Sequence, residues 1–164
     1  MKRSIFASML VFLLAAAPAS AEPWGTDYQM GTMVAYGGSD KEGRISFECV
    51  DHASGAANSG TTFLRIVPMT GISISKKDQI ELVALWTDNG GGSLPVAVAL
   101  DGDELGSSEE LSDSLNRSVL RMLEVGNRLR ITTADRAGLL LVDMALTGSE
   151  AALEGFGTCI GRDP

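Results

Sequence analysis

Arg44-Ile45-Ser46-Phe47-Glu48-Cys49-Val50 places Ile45, Phe47 and Cys49 on one face of an extended chain and Arg44, Ser46 and Glu48 on the other. Side chains alternate across a strand with period two, so the stretch predicts a strand with one face in a core and one in water. Just upstream, Gly37-Gly38-Ser39-Asp40-Lys41-Glu42-Gly43 has turn chemistry: glycine reaches positive φ without steric cost, and Ser and Asp bond locally to backbone. With Thr32 to Tyr36 as a second extended segment, these residues close a hairpin. Glu22 to Gln29, carrying Trp24 and Tyr28, reads as a short approach to it.

Downstream, Asp51 to Gly60 is a polar, glycine-containing loop, followed by an apolar segment from Thr61 to Pro68. Gln79 to Trp86 and Leu94 to Leu100 are rich in Val, Leu, Ile and Ala, and Asp88-Asn89-Gly90-Gly91-Gly92-Ser93 joins them as a second hairpin. Three successive glycines also suggest a phosphate cradle, but no helix start or P-loop lysine follows, so no nucleotide site is expected. The period then changes. Leu111, Leu115, Val119 and Met122 recur at three and four residues, which is a helical stripe. Gly126 falls just past its end, where a left-handed residue is expected. Arg128 to Thr133 alternates again, Leu139 to Leu146 is an apolar strand, and Ser149 is placed to cap a short final helix that returns Cys159 to the sheet. Six or seven short strands with two late helical segments predict an α+β fold: a mainly antiparallel β sheet or sandwich with one or two short helices in the C-terminal half. The Leu, Val and Ile stripes are assigned to its core.

Lys2 and Arg3, the apolar run Ile5 to Ala17 and the small residues Ala19-Ser20-Ala21 match the three parts of a cleaved export signal. Pro18 ends the run short of the roughly 20 apolar residues that a membrane span needs. The expected organisation is a signal peptide at 1–21 and one globular domain at 22–164, periplasmic or secreted, without membrane insertion once the leader is removed. The whole chain carries 13 basic and 21 acidic residues; without Lys2 and Arg3 the balance is 11 against 21, a net charge of −10. Such a charge repels nucleic acid and anionic lipid and leaves a basic protein or a divalent cation as partner.

Cys49 and Cys159 are the two cysteines, and an even count in an exported chain reads first as a disulfide. The competing reading makes Cys49 a nucleophile with His52 as base; catalytic partners are brought together by the fold rather than by closeness in sequence, which favours the disulfide. His52 is the sole histidine and no Gly-x-Ser-x-Gly elbow exists, so no catalytic residues are assigned and no cofactor is expected. Asp101, Asp103, Glu104, Glu109, Glu110 and Asp113 form the densest acidic stretch. Asp101, Asp103 and Glu104 are its weak candidates for a cation site, since the spacing is not that of an EF-hand. A solvated loop with favourable negative charge at the start of the following helix is the preferred reading of the stretch.

The C-terminal half carries a pattern: a helix, Gly126-Asn127-Arg128-Leu129-Arg130-Ile131, a glycine turn, then Leu141-Val142-Asp143-Met144-Ala145-Leu146-Thr147-Gly148-Ser149-Glu150-Ala151-Ala152-Leu153 and a final cysteine. With Asp101-Gly102 after a strand, it resembles the VasI/TagO-like periplasmic proteins of proteobacteria associated with type VI secretion. The resemblance implies a non-enzymatic, disulfide-closed accessory domain and supplies no catalytic residues. The function expected is therefore an accessory or binding protein that acts through contact with an envelope or extracellular protein. An inhibitor of a basic, lysozyme-type cell-wall hydrolase is the alternative, on the strength of the acidic charge. A cation-binding envelope protein is the third reading.

Overall fold

β3 (Gly43–Val50) buries Ile45, Phe47 and Cys49 and turns Arg44 outward, so the alternation seen in sequence is the orientation in space. The computed structural model describes residues 23–50, 62–78, 80–89, 93–107, 111–135 and 138–159. The expected leader, the 51–60 loop with His52, the 90–92 glycines, Glu109 and Glu110 lie outside the described residues. Around β3 the chain forms β1 (Gly25–Gln29), β2 (Thr32–Ser39), β4 (Thr62–Val67), β5 (Leu82–Thr87), β6 (Leu94–Asp101) and β7 (Glu104–Ser107). α1 (Asp113–Val125), β8 (Arg128–Thr133), β9 (Leu140–Ala145) and α2 (Ser149–Cys159) follow.

The nine strands make one antiparallel sheet in the order β1-β2-β3-β4-β7-β6-β5-β8-β9, with both helices in the C-terminal half. β6 serves two neighbours, pairing through Leu94–Ala97 with β5 and through Val98–Asp101 with β7. The far end of the sheet returns to its first half. The amide of Asp143 donates to Glu42 O (2.8 Å) and that of Met69 to Leu141 O (2.9 Å), so β9 is held against the β2–β3 turn and the segment after β4. A register shift between Ile131 and Thr132 leaves Leu141 as an extra residue in β9, and Leu141 and Val142 are consequently both buried.

The inward face is a single apolar cluster. Ile45, Phe47, Leu64, Ile66, Val83, Leu85, Leu105, Leu129 and Ile131 supply its sheet side. Val119, Leu120 and Leu123 of α1 and Leu153 and Phe156 of α2 close it. Phe47 and Phe156 meet edge to face, their centroids 5.9 Å apart, which fixes α2 on β3. α1 begins at Ser112, whose hydroxyl accepts from the amide of Leu115.

Several local expectations are corrected. Gly37, Gly38 and Ser39 belong to β2 rather than to the turn, because the indole of Trp24 occupies the space a side chain at 37 would need. Glu22 to Gln29 is no mere approach: Gly25–Gln29 pairs with β2 as a full strand. The four-residue β7 was not foreseen. Gly126 is extended (φ −79°, ψ 158°), not left-handed; a Cβ there would stand 2.8 Å from Leu146 Cδ1 and 3.0 Å from Thr87 Cβ, so close packing demands glycine. The Ser149 hydroxyl does not cap amides of α2. It lies 2.7 Å from both Leu123 O and Leu146 O and shares its one proton between these carbonyls, tying the start of α2 to the last turn of α1.

Candidate functional site

β5 buries Val83, Ala84 and Leu85 and exposes Leu82 and Trp86, and β8 turns Leu129 and Ile131 inward and Arg128, Arg130 and Thr132 outward. Trp86 pairs directly with Arg130 across the two strands. A groove of about 530 Å³ opens here, lined by Trp86, Thr87, Asp88, Arg128, Arg130 and Thr132. Trp86 is 44% exposed although it sits on an interior strand. The sheet backbone holds it, so its position does not depend on a loop.

The electrostatics of the groove follow from which donors meet which acceptors. The Asp88 carboxylate receives the amides of Asn127 (2.8 Å) and Arg128 (3.1 Å) through one oxygen and the Asn127 side-chain amide (3.2 Å) through the other. These bonds, led by the Asn127 amide, hold its carboxyl below the usual carboxylate range. The Asn89 side-chain amide donates to Val125 O, which ties the residues just after β5 to the end of α1. On the other side, Nε of Arg128 (2.5 Å) and Nε of Arg130 (3.5 Å) both reach the same oxygen of Asp143. The hydrogen bond from Arg128, followed by the charges of both arginines, depresses the Asp143 carboxyl; that same bond raises the Arg128 guanidinium.

A second groove, about 400 Å³, lies on the outer face of β2, β3 and β4 and is lined in part by Tyr36, Arg44, Glu48, Arg65 and Glu104. Its guanidiniums are paired at close range. Arg44 meets Asp40 (2.6 Å), and Arg65 meets Glu48 (2.7 Å) and Asp101 (3.4 Å). The charge of Glu48 is the main reason the Arg65 guanidinium is raised.

Tyr36 is 47% exposed and lines this second groove, whereas Trp24 is buried and belongs to the core. Of the candidate cation ligands, Asp101 ends β6 and pairs with Arg65, Asp103 lies in the two-residue turn, and Glu104 begins β7. Among the described residues no group of three or more His, Cys, Asp or Glu side chains is arranged to hold a metal ion. Cys49 is fully buried in β3 and is not a free thiol. No helix among the described residues is long and apolar enough to cross a membrane.

Trp86 was missed as a site residue because its segment reads as a uniform apolar run. The signal was present in the alternate positions Leu82, Ala84 and Trp86, read against Arg128 and Arg130 at the same alternation on a later strand. No family model, curated protein or solved structure matched the chain.

Proposed function

We propose that this protein is a non-catalytic, exported accessory domain that works by protein contact, with the Trp86 groove as its contact surface. The carrying observation is an aromatic side chain that is nearly half exposed on an interior strand of the sheet and directly paired with an arginine. Trp and Arg are the residue types that most often dominate the energy of protein interfaces, and an anchor on a sheet loses little conformational entropy when it is covered. The leader-like residues 1–21 support export, and the VasI/TagO resemblance supports an envelope role.

A Cys49–Cys159 disulfide belongs to the same reading. Cys49 is buried in β3, the chain offers one other cysteine, and α2, which ends at Cys159, packs on β1, β2 and β3. Such a bridge would close a loop of about 100 residues, which the chain-entropy account values at about 4.7 kcal/mol before native strain is subtracted.

The test is affinity capture from envelope extract with the oxidised exported protein, run beside Trp86→Ala and the distant surface change Glu150→Ala. The expected result is a defined partner retained by the parent and by Glu150→Ala and lost with Trp86→Ala. Identical eluates from the parent and Trp86→Ala would overturn the assignment of the surface.

A further inference from the structure

Two guanidinium groups and the Asp88 carboxylate line the groove, and Asp143 pairs with both arginines, so these formal charges balance; the hydrogen-bonding capacity does not. Both carboxylates are engaged: three N–H donors converge on Asp88, and two arginines converge on Asp143. Each arginine spends its Nε on one shared carboxylate oxygen. Among the described residues their terminal Nη groups have no partner, and the two side chains are 55% and 59% exposed. A guanidinium fork matches the two oxygens of a carboxylate.

Next to these forks runs an apolar shelf. Leu82 and Trp86 stand along β5 with the buried Ala84 between them, and Pro95 and Ala97 of β6 lie opposite Ala84 and Leu82 in register. Leu82 and Trp86 are both more than two-fifths exposed. The surface therefore presents an apolar strip edged on one side by unused cationic donors.

We infer that this surface takes a partner segment in which an Asp or Glu side chain stands beside an aliphatic or aromatic one, the carboxylate on Arg128 and Arg130 and the apolar side chain over Trp86. The inference rests on the protein-contact reading of the groove and adds the chemistry of its partner. Most of the chain's negative charge does not oppose it, because exposed charges more than about 10 Å away are screened at ordinary ionic strength; beside Asp88 and Asp143, Glu42 is a carboxylate whose charge reaches Arg128. Covering the shelf would also remove water from the arginine forks and strengthen their hold on the carboxylate.

The experiment titrates the isotopically labelled oxidised protein with acetyl-Leu-Glu-amide, acetyl-Leu-Gln-amide and inorganic phosphate, following the two tryptophan indole N–H resonances. Trp24 is buried and serves as the internal reference. At peptide concentrations on the order of 10 mM, the Glu peptide is expected to shift the Trp86 signal, with at least about ten-fold weaker binding of the Gln peptide and no response from Trp24. Arg130→Gln should remove the preference for Glu, and Arg130→Lys should restore part of it. Equal responses to the Glu and Gln peptides, or a phosphate response that saturates the site with no gain from the peptide's leucine, would overturn the proposal. If capture depends on Trp86 but the Glu preference is missing, this inference falls and the contact surface stands. If capture ignores Trp86, the surface itself falls.

Discussion

Gly37 lies directly beneath the indole of Trp24: a Cβ added at 37 would stand 2.5 Å from Trp24 Cε2 and 2.7 Å from Nε1. The contact explains how a glycine comes to sit inside β2 and how a tryptophan just before β1 becomes core. Gly37→Ala requires no unusual backbone conformation, so its effect isolates the steric contact. Overpacking of this kind costs about 1–3 kcal/mol. Urea denaturation of the variant should show a lower midpoint with an unchanged slope, together with altered Trp24 fluorescence.

Gly43 begins β3 with φ +80°, and a Cβ there would stand 2.8 Å from Leu141 O. This is where β9 returns to the β2–β3 turn. Gly43→Ala combines a left-handed backbone, worth about 1–2 kcal/mol for a side-chain-bearing residue, with a clash against β9. We expect a loss of roughly 2 kcal/mol or more. Hydrogen exchange should locate it: the Asp143 amide, which donates to Glu42 O, should lose protection before the amides of β2 and β4 do.

How much of this was legible in the sequence depends on how many causes act at a residue. In β3 and β8 burial alone decides, and the alternation of Ile45, Phe47 and Cys49, or of Leu129 and Ile131, gave both strands correctly. The Leu111–Leu115–Val119–Met122 stripe, ended at Gly126, placed α1 within about two residues for the same local reason. Where a distant element intervenes, local chemistry pointed elsewhere. Gly37 read as a turn because Trp24 was not known to cover it; Gly126 read as a left-handed cap because Leu146 and Thr87 were not known to crowd it. β7 has four residues and holds to β4 through only two residue pairs, too little for periodicity to register. The groove is the extreme case. Trp86, Arg130 and Asp143 stand on three strands and become neighbours only through the β5-β8-β9 order.

Asp143 makes the acid limb of stability testable. Its carboxyl is held below the usual range, first by the hydrogen bond from Arg128 and then by the charges of both arginines. A carboxyl with a depressed folded-state pKa stabilises the fold above its unfolded value, about 3.9, and that contribution disappears as pH falls through the folded value. Asp143→Asn should thus be less stable than the parent at pH 7. The difference should narrow as pH drops below about 3.9, and denaturant midpoints measured from pH 7 to pH 2 would follow it. A gap that stays constant across that range would place the cause in packing instead of ionisation.

Met30 and Gly31 form the two-residue β1–β2 loop, with φ of 51° and 83°. A hairpin loop with both central residues left-handed favours Asn or Gly, and Met30 is fully exposed, so its side chain has no packing to lose. Met30→Asn is expected to raise stability by up to about 1 kcal/mol, read as a higher denaturant midpoint.

β1 is an edge of the sheet, and Asp27 guards it. In an antiparallel hairpin alternate amides face away from the partner strand, and an edge strand offers these to any passing chain. The amide of Tyr28 is not offered: it donates to Asp27 Oδ1 at 2.8 Å, and the Gln29 side-chain amide donates to Asp27 Oδ2 at 2.5 Å, which holds the carboxylate in place. Two copies meeting antiparallel through the middle of β1 would also bring Asp27 against Asp27, and like charges directly opposite are destabilising. Asp27→Val removes the acceptor, the charge and the repulsion together while raising strand propensity. The variant should self-associate at concentrations where the parent does not, seen as a shift in sedimentation velocity, while Asp27→Asn, which keeps an acceptor and loses the charge, should fall between the two. Sedimentation profiles identical for the parent and Asp27→Val would show that the side chain does not protect this edge.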